Sequence, residues 1–115
     1  MKDKSIQDLI NLYRSGKLAT VEKRVIELIK KNPKNFVLYN LYGAVLSDKK
    51  NFDKAVTNYK KSIEINSTYA EGYNNLGSAL YKLEKFNEAI DSFQRAIEIK
   101  TDFIEAYNNL GLVFK

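Results

Sequence analysis

Tyr73-Asn74-Asn75-Leu76-Gly77 recurs one 34-residue period later as Tyr107-Asn108-Asn109-Leu110-Gly111, and a weaker copy stands one period earlier at Tyr39-Asn40-Leu41-Tyr42-Gly43. The stretch between them keeps the same step. Phe52-Asp53-Lys54-Ala55 returns as Phe86-Asn87-Glu88-Ala89, and Ile63-Glu64-Ile65 as Ile97-Glu98-Ile99. A fixed period of this length marks a solenoid, in which each unit buries its apolar face only by stacking on its neighbours. Such a chain reads as a surface for holding something.

Within each period the apolar residues fall on two helical stripes. If the glycine is position 8, repeat 3 (residues 70–103) has Tyr73, Leu76, Gly77 and Leu80 at 4, 7, 8 and 11, then Ala89, Phe93 and Ala96 at 20, 24 and 27. Each set lies along one face of a helix. Repeat 2 (36–69) has Tyr39, Tyr42, Gly43, Leu46, Ala55, Tyr59 and Ser62 in the same slots. Repeat 4 begins at Ile104 and supplies only a first helix. Repeat 1 (2–35) is degenerate, with Leu9 for the glycine and Val21 for the alanine, but it keeps Leu12, Val25, Leu28 and Pro33. The pattern predicts seven helices, over about 5–14, 18–31, 35–48, 52–65, 69–82, 86–99 and 103–114, and no strands.

Local signals agree with these bounds. Gly16 closes the first helix and Pro33 breaks the second after about residue 31. Thr68 with Glu71, and Asp102 with Glu105, read as capping boxes. A glycine inside a helix costs about 1 kcal/mol relative to alanine, so close packing must offset it. Gly77 is expected to face Ala89 across the helix pair, two small residues letting the helices approach.

Composition narrows the function classes. A chain of 115 residues makes one domain, 1–115, with a core large enough to fold without staples. There is no Cys and no His, which removes disulfides, thiolate chemistry, the commonest general base and the best zinc ligands. Glu84, Glu88 and Asp91 read as solvated surface charges. No enzyme activity, cofactor or metal is expected. No apolar run approaches a membrane span and the N-terminus lacks the apolar stretch of a signal peptide, so the expected location is cytoplasmic. The net charge of +5 is concentrated in residues 1–35, while repeat 3 is net negative. The basic residues are mostly lysines mixed with acids, and Arg is confined to Arg14, Arg24 and Arg95. Neither nucleic acid nor a membrane is expected as partner.

The repeat pattern resembles the tetratricopeptide repeat, a helix–turn–helix unit, over essentially the whole chain and most specifically in repeats 2 to 4. The resemblance implies an all-α, right-handed helical-hairpin solenoid of about three and a half repeats acting as a protein- or peptide-binding scaffold. In that family the first helix of each repeat lines a concave groove. The groove positions here include Asn40, Glu71, Asn74, Asn75, Ser78, Tyr81, Lys82, Glu105, Asn108 and Asn109. Asn40, Asn74 and Asn108 form one row; Asn75 and Asn109 form a second that resembles the asparagine ladder of the repeat arm of O-linked N-acetylglucosamine transferases. An asparagine amide donates and accepts at once, so such a row can pair with a peptide backbone. The same rows can instead cross-link neighbouring helices. Replacing Asn75 and Asn109 is expected to weaken a peptide ligand while changing thermal stability little.

The carboxylate clamp that grips chaperone C-termini within this family is not expected. Its slots hold Ile6, Ile10, Leu41, Glu71 and Asn75 from repeat 1, or Asn40, Ala44, Asn75, Glu105 and Asn109 from repeat 2. Only Asn75 matches, and two slots carry the wrong charge. Two alternative readings stand beside the scaffold: the non-catalytic arm of a larger enzyme such as a glycosyltransferase or sulfotransferase, and an oligomerisation module. The chain stops at Lys115, midway through a repeat, which suggests a piece of a longer protein or a last helix acting as a cap. The family pattern sets Tyr107, Leu110, Gly111 and Phe114 against a second helix that this repeat lacks. These residues are expected to form an exposed apolar edge and a homodimer through the last helix.

Overall fold

The computed structural model describes residues 2–115, with side chains from Ser5 onward, and shows α1 (Lys2–Arg14), α2 (Leu18–Lys31), α3 (Phe36–Asp48), α4 (Phe52–Ile65), α5 (Ala70–Lys82), α6 (Phe86–Ile99) and α7 (Ile104–Val113). Among the described residues there is no strand, and no helix is long and apolar enough to cross a membrane. Consecutive helices pack as antiparallel hairpins, most extensively α3 on α4 and α5 on α6.

The hairpin turns repeat one geometry. Gly16, Lys50 and Glu84 all have positive φ, at 81°, 64° and 61°. In each turn the next residue's N–H reaches back five residues to a helix carbonyl: Lys17 to Leu12, Asn51 to Leu46 and Lys85 to Leu80, at 2.8–3.1 Å. This is a left-handed C-terminal cap, which glycine adopts freely and Lys50 and Glu84 adopt under strain. Asn35 and Asn51 cap α3 and α4 through their side chains.

The expected capping boxes at Thr68 and Asp102 do not form. The chain enters α5 and α7 one residue later than that pattern requires, at Tyr69 and Phe103, and neither makes a side-chain cap. The Thr68 hydroxyl instead donates to Asn66 Oδ1 at 3.0 Å, stabilising the preceding turn.

The core runs through the hairpins as three clusters. The central one joins Leu46, Ala55, Tyr59, Leu76, Leu80, Ala89 and Phe93, all buried. The atoms nearest to Gly77 belong to the ring of Phe93. A Cβ built on it would lie 2.6 Å from the ring of Phe93, and one on Gly43 would lie 2.6 Å from the ring of Tyr59. The glycine therefore makes room for the edge of an aromatic ring, and Ala89 is buried in the same cluster.

Curvature follows from which helices touch. Among the described residues α1 contacts α3, α3 contacts α5 and α5 contacts α7, whereas α2, α4 and α6 do not contact one another. The odd-numbered helices thus form the inner, shorter arc of a bent two-layer array 40 Å long.

Candidate functional site

The concave face is built from the exposed flanks of α1, α3, α5 and α7. Its asparagines are engaged with one another. Asn75 Nδ2 donates to Asn40 Oδ1 at 3.0 Å, and Asn109 Nδ2 donates to Asn74 Oδ1 at 3.0 Å. Asn40 Nδ2 in turn donates to the Tyr69 hydroxyl at 3.3 Å. Each bond ties one inner helix to the next, so the two rows act as a pair. In each pair the asparagine of the earlier repeat accepts the bond and that of the next repeat donates it.

Burial sets Asn74 apart from the others. Asn74 is only 2% exposed and is not open to a ligand, which corrects its placement among the groove-lining residues. It is sealed because α7 packs over it and Asn109 satisfies its carbonyl. Asn40, Asn75 and Asn109 are half-buried, and Asn108 is exposed. Among the described residues Asn75 and Asn109 make no further side-chain hydrogen bond, so each keeps a carbonyl oxygen and one N–H for a ligand.

The remaining residues frame these amides. Ser78 and Tyr81 are half-buried and Lys82 is exposed. Tyr81 stands edge-on to Phe86, ring centres 5.6 Å apart, which fixes its orientation. Glu71 and Glu105 are exposed near the starts of α5 and α7, and Glu71 lies 3.7 Å from Lys100 Nζ. An exposed pair of this kind contributes little to stability.

Two features of this face were not singled out as site residues. At the repeat 1 end, Ile6, Ile10, Phe36 and Val37 line an open depression of about 480 Å³ beside Lys34. The signal was present in Ile6, which stands where the other repeats have asparagine, and in Ile10, one helical turn further on. Further along, the Tyr13 hydroxyl donates to Asp48 Oδ2 at 2.7 Å, joining α1 to α3. Burial raises the Tyr13 pKa, and the hydrogen bond and charge of Asp48 raise it further. Neighbouring Tyr59 is pushed up to about 12, chiefly by burial; its contact with Ser47 opposes the shift and the charge of Asp48 adds to it.

The last helix ends in an open edge. Tyr107 is 48% and Phe114 67% exposed. Leu110 is half-buried against the central cluster, so it belongs less to that edge than expected.

Comparison with known proteins gives a consistent picture. The sequence pattern of the family described as TPR repeat matches residues 43–84 and 77–115, more than half of the chain. The first TPR of Spaghetti (RPAP3), solved bound to the HSP90 peptide SRMEEVD, superposes with a TM-score of 0.90 at 22% identity, over 94% of this chain and 86% of that one. An O-GlcNAc transferase of Thermobaculum terrenum superposes at 0.89 with 22% identity, over 92% of this chain but only 20% of that one. MamA superposes at 0.83 with 30% identity, over 90% of this chain and 61% of that one.

Proposed function

Because the chain belongs to the tetratricopeptide-repeat family, we propose that its concave face holds an extended segment of a partner protein. The observation that carries this reading is the pair of amides Asn75 and Asn109, each fixed from behind by the asparagine of the preceding repeat. Amides held in this way are oriented before a ligand arrives, so less ordering entropy is lost on binding. Glu71, Ser78, Tyr81, Lys82, Glu105 and Asn108 frame the same face. An extended backbone advances about 3.3–3.6 Å per residue, so neighbouring rungs, about 8–10 Å apart for packed helices, meet every third residue or so.

The chemistry differs from that of an acidic-tail receptor. Glu71 and Glu105 stand where a clamp for a C-terminal carboxylate needs cations. The RPAP3 relative binds a peptide ending in EEVD; this groove is expected to reject it. The same groove would serve a larger enzyme as a non-catalytic recruiting arm. A second contact surface, the edge carrying Tyr107 and Phe114, would serve self-association through the last helix.

Selection of peptides from a random display library on the whole chain tests the groove. Selected peptides should shift amide NMR signals along α3, α5 and α7, and Tyr81→Ala should weaken them about tenfold, near 1.4 kcal/mol. Shifts confined to α2, α4 and α6 would refute it.

A further inference from the structure

The 35-residue step that pairs Asn40 with Asn75 and Asn74 with Asn109 also pairs Ile6 with Leu41. At this first rung the side chains are aliphatic. Leu41 is buried, and Ile6 packs against the cluster that holds it. The concave face therefore changes character along its length, from an aliphatic rung between α1 and α3 to amide rungs between α3 and α5 and between α5 and α7. Beside the aliphatic rung lies the open depression where Ile6, Ile10, Phe36 and Val37 meet. All four are half-buried, so each keeps apolar surface toward solvent. A second series keeps step with the rungs. Val37, Glu71 and Glu105 hold one repeat position near the starts of α3, α5 and α7. Each stands four residues before Leu41, Asn75 or Asn109, on the same helix face. That series reads apolar, acidic, acidic.

We propose that the segment held by the concave face seats one aliphatic or aromatic side chain in the depression between α1 and α3 and sets basic residues over Glu71 and Glu105, its backbone lying on Asn75 and Asn109. The proposal deepens and rests on the reading of the concave face as a peptide groove; it adds the chemistry of the partner and the direction in which the segment lies across the helices.

Three features favour this occupant. First, an apolar side chain entering the depression removes the half-buried flanks of the two isoleucines, Phe36 and Val37 from water. Second, the charges are ordered along the face. Lys34 stands exposed at the depression, whereas Glu71 and Glu105 stand exposed beside the amide rungs. A basic segment is repelled at the first end and attracted at the other, which fixes its direction. Third, the acids are the charges nearest the amides. Glu71 lies one turn before Asn75, about 6 Å along the helix, while Lys82 lies seven residues beyond it, about 10 Å. On α3 the matching acid, Asp48, already accepts the Tyr13 hydroxyl. Glu71 lies 3.7 Å from Lys100 Nζ, but that pair is exposed and exchanges readily for a ligand cation. Packed inner helices stand about 8–10 Å apart and an extended chain advances about 3.3–3.6 Å per residue. The two basic positions therefore fall about three and six residues from the apolar one.

Peptides selected from a random display library on the whole chain test the composition, and amide NMR shows where they lie. The expected peptides shift signals of α1, α3, α5 and α7 and share an aliphatic or aromatic residue with Lys or Arg enriched about three and six positions to one side of it. The double variant Glu71→Lys, Glu105→Lys changes only exposed side chains. It should weaken these peptides about tenfold in about 0.1 M salt and less in about 1 M, and a fresh selection on it should enrich Asp and Glu at the same two positions. Val37→Glu should replace the apolar preference by a third basic one, and Ile10→Ser should weaken the apolar preference without touching the basic positions. Peptides that shift α3, α5 and α7 but carry no basic enrichment, or that bind the double variant equally well, would overturn the charge pairing and leave the groove standing. Peptides that leave the signals of Ile6, Ile10 and Val37 unmoved would overturn the apolar seat. Enrichment of Asp and Glu on the unmodified chain would overturn the proposal as a whole. Shifts confined to α2, α4 and α6, or a library that yields no binder, would refute the groove itself and this inference with it.

Discussion

Three equivalent glycines behave differently because their surroundings differ. Gly43 and Gly77 sit under aromatic rings, and Gly111 faces open space. Phe93 is buried on all sides and has nowhere to move. Gly77→Ala should therefore destabilise by about 1–3 kcal/mol. Gly111→Ala gains helix propensity with no clash, so in the monomer it should stabilise by about 0.5–1 kcal/mol. Urea melts of the two variants at low concentration check both signs; equal shifts would refute the packing argument. Residue chemistry also corrects the expectation for the asparagines. Asn109→Ala would strand the carbonyl of buried Asn74, so it should cost about 1–3 kcal/mol of stability as well as any ligand affinity. Tyr59 provides a pH signature. Its folded pKa near 12 lies above the ordinary value of 10, so its stabilising contribution is whole below pH 10 and is lost as pH rises toward 12. Tyr59→Phe should flatten the fall in stability between pH 10 and 12 in alkaline denaturation monitored by circular dichroism.

At the scale of elements, each repeat is a template for the next. Asn51 caps α4 by accepting from the Lys54 N–H, while Lys85, one period on, gives α6 no side-chain cap. Lys85→Asn should restore the bond and raise stability by about 1 kcal/mol, readable as a shift in thermal midpoint; an unchanged midpoint would show that the α6 entry differs from that of α4. The first-helix tyrosines are a second shared device. Tyr39, Tyr73 and Tyr107 each donate a hydroxyl hydrogen bond to the carbonyl six residues earlier, at Pro33, Ser67 and Thr101. Helix number and bounds were legible in the sequence to within a residue or two for α2 to α7, because the apolar period and the turn signals coincide there. The capping boxes were not. Thr68 and Glu71 have the right spacing, but the turn held by Asn66 moves the helix start past Thr68.

Across the whole molecule, each repeat is supported mainly by its neighbours, so stability should be highest in the middle of the array. The central cluster spans α3 to α6, whereas α7 buries only Ala106 fully. Hydrogen exchange should be slowest in α4, α5 and α6 and fastest in α1 and α7; uniform protection would mean that the array opens only as a single unit. The sequence by itself determined the repeat, the helix pairs and the apolar stripes, because all of these follow from periods of 3.6 and 34 residues along one chain. It could not separate the two asparagine rows, which are chemically identical. The bonds that distinguish them, Asn40 with Asn75 and Asn74 with Asn109, join residues 35 apart. That one-residue slip comes from the stacking of successive hairpins. Only the tertiary structure decided which amide is sealed behind the concave face and which stays open on it, since the lateral register of stacked helices is set by side-chain packing between repeats.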